Sequence, residues 1–301
     1  KPDLPTLSIQ YADYALWQRE RLAGEEGERQ LAYWRSQLGQ HHPVLDLPTD
    51  YPRPHQPSHA GASLTFDVQA PLLVGLQQLA GAQGVTLYML LLAGLQTFLH
   101  RYSGQNDIRV GVPIANRTRL ETESLIGFFV NTQVMRADFD SDPRFIDLLQ
   151  QTRQAALEAQ AHQELPFEQL VEALQPERSV SYSPLFQVMF NYLSGQTDAS
   201  LASLNELTVE GLEWNTQTAQ FDLIVSINEH AGGLSVVFNY ATDLFAASTI
   251  ARMATHWRNL LQDLVANPKQ RVGDLTLLDA GERRQILEQW NPSRDDEPVK
   301  V

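Results

Sequence analysis

Residues 126–136 (IGFFVNTQVMR) are rich in β-branched and aromatic side chains and hold no proline, the pattern of a strand. Strand side chains alternate between faces. Ile126, Phe128, Val130, Thr132 and Val134 share one face; Phe129, Asn131, Gln133 and Met135 share the other. Both faces are apolar at their ends, which predicts a strand covered on both sides. Asn131 and Gln133 are then amides in a largely apolar setting, where polar groups need partners. They either bond neighbouring backbone or line a tunnel.

Helical spacing comes first in the chain. From Ser8, a capping residue, to about Leu22, the residues Ile9, Ala12, Leu16 and Arg19 recur at helical intervals before Gly24. Residues 28–38 predict a second helix, with Leu31, Trp34 and Leu38 on one face. Five prolines between Pro43 and Pro57 make an extended connector. Residues 63–68 predict a strand and 71–82 a helix opened by proline. Residues 86–102 form a helix that is apolar nearly all round, hence buried. A strand at 108–114 and a polar loop precede the 126–136 strand. The next helix begins after Asp142-Pro143, with Phe145, Leu148, Leu149, Thr152, Ala156 and Ala159 on its face. Pro166 requires it to end near Leu165, then opens a short helix with Phe167, Leu170, Val171 and Leu174 in register. Strand patterns follow at 185–193, 207–212 and 221–229. Another, at 234–240, follows Ala231-Gly232-Gly233, a hairpin signal. A long helix at 246–266 carries Ile250, Met253, Trp257, Leu260 and Leu264 on one face. Beyond Leu278 the chain turns polar, as a linker or tail does. Such irregular alternation predicts a mixed β-sheet with helices packed on it, of class α/β or α+β.

Charge narrows the partners. Lysine plus arginine number 22 and aspartate plus glutamate 36, a net charge of −14. Nucleic acid and anionic membrane both select a basic face, so neither suits this chain. The absence of cysteine removes disulfides, thiolate metal sites and a cysteine nucleophile. It suits a reducing compartment such as the cytoplasm. The most apolar run, 85–95, is too short to span a bilayer. With 301 residues, 43% hydrophobic and 19% charged, the chain can build one large or two small soluble domains. It begins at Lys1 with no signal-peptide pattern, and is expected to be a piece of something longer. Motifs for a phosphate-cradling loop, a dinucleotide fingerprint, a nucleophile elbow and a zinc-binding HExxH are all missing from the sequence.

The remaining candidates are polar residues at element ends. His162 and Gln163 fall in the last turn of a helix, against the break that Pro166 forces. His162 either caps the free carbonyls there or stands with Gln163 at the mouth of a cleft. In the loop 178–184 (RSVSYSP), hydroxyls including Ser183 either make turns or bond a substrate amide. Gln187 and Asn191 share a face of the next strand, and Asn228 and Asn239 lie on two others. Four strand amides favour a polar channel.

These segments carry a resemblance. YADYALW at 11–17, LPTDYPRP at 47–54, IGFFVNTQVMR at 126–136, HQELPFE at 162–168, RSVSYSPL at 178–185 and FQVMFNY at 186–192 resemble the condensation domains of nonribosomal peptide synthetases, in the family's order. Residues 277–291 resemble the linker toward an adenylation domain. The resemblance implies a chloramphenicol-acetyltransferase-like fold of two lobes. Two carrier-bound thioesters enter a tunnel, and the acceptor amine attacks the donor thioester. Positioning supplies much of such a rate. The site must also keep the amine unprotonated and stabilise oxyanion charge. The segments HQELPFE and SPL look more like a peptide-bond-forming member than an epimerising or heterocyclising one.

The family's HHxxxDG signature belongs to the first lobe and is missing before Tyr11. The resemblance therefore makes residues 1–278 the second, C-terminal lobe, with entry helices and connector over 1–60, and 279–301 the linker. His41-His42 copies the signature's spacing, but Leu47 stands where the family has glycine. It reads as coincidence. Asn131 is expected to orient substrate, and His162 is the other catalytic candidate, although neither is a nucleophile. Phe128, Gln163, Ser183 and Asn191 are expected to contact substrate. Trp17 is expected to pack between lobes, and Arg136 to fix the lobe interface through an ion pair. The segment with Arg117, Arg119 and Glu121 is where the family crosses under the tunnel. Arg101, Arg109, Arg117 and Arg119 are either carrier-docking residues or ordinary surface charges. No metal or cofactor is expected in this lobe, since substrates ride on the phosphopantetheine of carrier domains. The expected partners are the first lobe, donor and acceptor carriers, and a downstream adenylation domain. The alternatives are a non-catalytic recruiting module and an acyltransferase for a free amine or alcohol.

Overall fold

The computed structural model describes residues 6–177, 179–194, 217–230 and 232–290. Helices α1 (Tyr11–Leu22) and α2 (Glu25–Leu38) open the chain. α1 begins at Tyr11 rather than Ser8, because the Asp13 carboxylate accepts the Gln10 backbone N–H at 2.8 Å and closes the first turn there. The proline-rich connector follows without helix or strand. Its Asp50 carboxylate is pinned by the Ala246 N–H and the Thr249 hydroxyl, each at 2.8 Å.

Next come β1 (Gly61–Gln69), α3 (Ala70–Gln83), α4 (Leu87–Ser103) and β2 (Asp107–Ile114). A one-turn helix α5 (Leu120–Glu123) leads to β3 (Asn131–Asp138), α6 (Phe145–Ala161) and α7 (Phe167–Leu174). The chain closes with β4 (Val188–Leu193), β5 (Leu223–His230), β6 (Gly233–Ala241), α8 (Ala247–Ala266) and α9 (Ala280–Arg284). The six strands form one mixed sheet in the order β1-β6-β5-β4-β2-β3. β4 runs parallel to both neighbours, and the other pairs are antiparallel, including the β5–β6 hairpin. The expected mixed sheet with packed helices is therefore present. α4 packs on β2 and against α6 and α8, which explains its all-round apolar sequence. Burying each such leucine contributes roughly 1.5–3 kcal/mol.

The 126–136 strand is shorter than its sequence predicts. β3 starts at Asn131, because Asn131 pairs with Ile114, the last residue of β2, and no strand lies beyond for 126–130 to join. That arm keeps its alternation but not its cover. Phe129 is buried, whereas Ile126, Phe128 and Val130 are 98%, 76% and 51% exposed. β4 begins at Val188 rather than Leu185, whose φ of +69° is left-handed and interrupts the extended run. α6 stops at Ala161, short of Leu165, with His162 as its C-cap. The strand expected at 207–212 lies outside the described residues. Past Leu278, Asp279 and Glu282 form a capping box that starts α9. Glu282 also meets His256 Nε2 at 3.0 Å, so this stretch packs on α8. Among the described residues no single helix is long and apolar enough to cross a membrane.

Candidate functional site

The turn between α6 and α7 is held from both sides. Asn131, at the start of β3, donates from Nδ2 to the Gln163 and Leu165 carbonyls at 3.0 and 2.8 Å. Its Oδ1 accepts from the Phe167 and Thr132 N–H groups at 3.0 and 2.9 Å. Both hydrogens and both lone pairs of the amide are thus used inside the protein. This corrects the expectation that Asn131 orients substrate: it has no group left to offer one, and it shapes the turn instead. Gln133 likewise donates to the Ala159 carbonyl. Both strand amides bond backbone.

His162 is the cap of α6. Its Nδ1 lies 2.8 Å from the Glu158 carbonyl and its Nε2 3.0 Å from Arg29 Nη1. A guanidinium only donates, so Nε2 accepts from Arg29 and Nδ1 faces the Glu158 carbonyl as donor. The ring stacks on Tyr33 at 4.1 Å. Burial, then Glu158, pushes the Tyr33 hydroxyl up to about 12. With both nitrogens engaged, His162 is no acid–base candidate in this arrangement, a second correction. On the α2 side, Arg29 and Gln30 bond Glu26 and hold its carboxyl down to about 2. Arg21 pairs with Glu164 at 2.5 Å.

Beyond this turn a cavity of about 780 Å³ opens. Of the four residues expected to contact substrate, Phe128 and Ser183 line it; Gln163 and Asn191 do not. Other walls come from α7, from the connector at 53–59 and from the chain just before β5. One ion pair joins those last two walls. Arg53 Nη1 donates to Asp222 Oδ1 at 2.8 Å, and Nη2 to Oδ2. The sequence patterns passed over both residues. Arg53 sits inside the 47–54 segment, and Asp222 is a lone charge near the front of an apolar run, but nothing in the sequence joins positions so far apart.

Trp17 and the 126–130 arm form a second small core. Tyr14, Leu125 and Phe129 are buried together, with Ile9 and Trp17 against them. The Tyr11 hydroxyl donates to the Phe128 carbonyl at 2.8 Å. Arg117 lies 4.1 Å over the Phe129 ring, and Arg119 4.9 Å over Trp17.

Two expected docking arginines are committed elsewhere. Arg109 is 4% exposed. It binds Asp107, the Leu38 and His41 carbonyls and His42 Nδ1, so it is no surface docking charge. Arg101 donates to the Val272 and Leu275 carbonyls and fastens the C-terminal segment. Arg136 does make ion pairs, with Asp107 and Asp138, but within the sheet. Burial raises the Asp107 carboxyl, yet Arg109 and Arg136 together leave it below its ordinary value. Among the described residues no group of His, Asp and Glu is placed to hold a metal ion.

Comparison with known proteins identifies the fold. The family model for the condensation domain matches residues 1–287. The chain belongs to the condensation domain family. It is 50% identical over 290 residues to a linear gramicidin synthase protein of Brevibacillus parabrevis. It is 37% identical over 296 residues to gramicidin S synthase 2 of Brevibacillus brevis. These matches cover 96% and 98% of this chain but only 4% and 7% of those proteins. Among solved structures, the complex of the X-domain and OxyB from teicoplanin biosynthesis aligns with a TM-score of 0.84 at 26% identity. That match covers 92% of this chain and 62% of the solved one. The four-domain nonribosomal peptide synthetase AB3403, bound to AMP and glycine, aligns with a TM-score of 0.78 at 27% identity, over 86% of this chain and 21% of that one. In this condensation domain five of the family segments contribute to the cavity wall, and the sixth, at 11–17, packs on the 126–130 arm. Peptide-bond formation by condensation is the family's role.

Proposed function

We propose that this chain is the acceptor-side lobe of a nonribosomal peptide synthetase condensation domain, with the linker toward an adenylation domain beginning at 279. A carrier-bound acceptor amine attacks a carrier-bound donor thioester, and both substrates ride on phosphopantetheine. The observation that carries this is the cavity of about 780 Å³, bounded by the apolar arm, the turn-held α7 and the loop with Ser183. It can take an acyl-bearing chain, and among its described lining residues no hydrogen bond joins a serine hydroxyl to a histidine or a carboxylate. Placement therefore supplies what this lobe contributes. A first lobe bearing HHxxxDG supplies the proton-transfer group and covers Ile126 and Phe128, whose exposure is large for apolar residues. Donor and acceptor carriers, the first lobe and an adenylation domain are the partners, and the cytoplasm is the compartment. Arg119 remains exposed for carrier contact.

The test is a single-turnover reaction with donor and acceptor carriers loaded as aminoacyl thioesters, read by intact-protein mass spectrometry. Dipeptidyl carrier is expected only when a first lobe is supplied. Product from the chain alone would place the chemistry on this lobe. The similarity to the teicoplanin X-domain, solved in complex with OxyB, supports a second reading, a recruiting module without catalysis. No product in any mixture, with carrier binding intact, would favour it.

A further inference from the structure

The wall of the cavity contains a carboxylate, Asp222, ion-paired to the connector. Asp222 is 9% exposed at its side chain and Arg53 26%. The guanidinium grips both carboxylate oxygens and also donates from Nη1 to the Ser181 carbonyl at 3.2 Å. Asp222 is fixed through its backbone too: its N–H donates to the Gln187 carbonyl, and its carbonyl accepts from Ala241, each at 3.1 Å. Gln187 completes the lacing. Its Oε1 accepts the Leu45 N–H at 2.6 Å, and its Nε2 donates to the Ser183 carbonyl at 2.9 Å. The loop with Ser181 and Ser183 is therefore held at two carbonyls, by Arg53 of the connector and by Gln187 bonded to the connector.

We propose that Arg53 and Asp222 are positioning residues for the acceptor: the pair sets the 181–183 loop against the cavity, and Arg53 offsets the charge that Asp222 alone would add to a wall favouring the acceptor amine as ammonium. The proposal rests on the cavity being the acceptor side of a condensation domain. An amine attacks a thioester only through its free lone pair. An unpaired carboxylate close by favours the protonated form, so Asp222 without Arg53 opposes the reaction. The cavity's other titratable groups are His59, Glu168, Tyr182 and Asp243. Asp46 and Tyr182 also act on Arg53 at longer range. Asp243 is bonded by the Ser58 N–H and hydroxyl, at 2.7 and 2.8 Å, and stays ionised. Asp222 is the carboxylate whose compensation comes from a cation across the wall.

The experiment uses the full synthetase module that contains this chain. Dipeptide formation is measured in single turnover against acceptor-carrier and donor-carrier concentration, from pH 6.5 to 9. The variants are Arg53→Met, Arg53→Lys, Asp222→Asn and the double variant Arg53→Met with Asp222→Asn. Arg53→Met is expected to raise the apparent acceptor KM about tenfold with donor KM unchanged. It should also move the rising limb of the pH profile up by about one unit. The double variant should return the pH limb to its wild-type position while the acceptor KM stays high. Arg53→Lys, which keeps charge but loses the two-point grip, should raise acceptor KM without moving the limb, and it stands in if Arg53→Met does not fold. Equal effects on donor and acceptor, or an unmoved limb in a folded Arg53→Met, would overturn the proposal. A wild-type module that forms no dipeptide at all would overturn the underlying function instead.

Discussion

His162 lies face to face with Tyr33, ring centroids 4.1 Å apart and planes 10° from parallel. Its nitrogens close the contact, one toward the Glu158 carbonyl and one toward Arg29. His162→Ala is therefore expected to cost about 1 kcal/mol of stability through lost capping and stacking. Single-turnover peptide formation in the complete domain should stay within about twofold of wild type. Thermal melts beside rate measurements check this. A rate loss of about a hundredfold in a folded variant would assign His162 a part in proton transfer.

Asn131 is expected to be more sensitive. Asn131→Ala strands the Gln163 and Leu165 carbonyls and the Phe167 N–H. A loss of about 3 kcal/mol is expected. Asn131→Asp keeps an acceptor for Phe167 but turns a carboxylate oxygen toward two carbonyl oxygens, so it should rescue nothing. Limited proteolysis is expected to cut both variants first within 162–168.

The α1–α2 hairpin should loosen in acid. Arg29, then Gln30, lowers the Glu26 carboxyl from 4.5 to about 2. A group depressed in the folded state contributes stability above its unfolded value, and loses it as pH falls through the folded one. The window is therefore pH 4.5 down to about 2. The groups are partly solvated, so the contribution is about 1 kcal/mol or less. Urea midpoints of wild type and Glu26→Gln should differ at pH 6 and converge as the pH nears 2. Parallel curves would show that Glu26 does not couple to folding.

Gly111 on β2 leaves room for Phe186. A Cβ built at Gly111 would land on the Phe186 ring. Gly111→Ala is expected to cost about 1–3 kcal/mol by overpacking. Because Phe186 also lines the cavity, the variant should disturb acceptor binding as well. A melting temperature equal to wild type would refute the contact.

Local pattern by itself determined most of the elements. The all-round apolar run became the buried α4, Pro166 opened α7, and the diglycine marked the β5–β6 hairpin. Such features depend on near neighbours in the chain, which is why periodicity and proline geometry report them. The ordered family segments also pointed to the condensation fold. Only tertiary structure decided the roles. Residues 126–130 read as strand, yet β2 ends at Ile114 and leaves them unpaired. Arg109 and Arg119 look alike in sequence, but one is buried beneath α2 and the other is exposed over Trp17. Asn131 was visible as a polar residue in an apolar strand, while its four partners, on the turn and at Thr132, were not. Arg53 and Asp222 meet across a wall built by the whole fold. A hydrogen bond or ion pair between distant positions is set by where the backbone brings both ends, and no local preference of either residue encodes that.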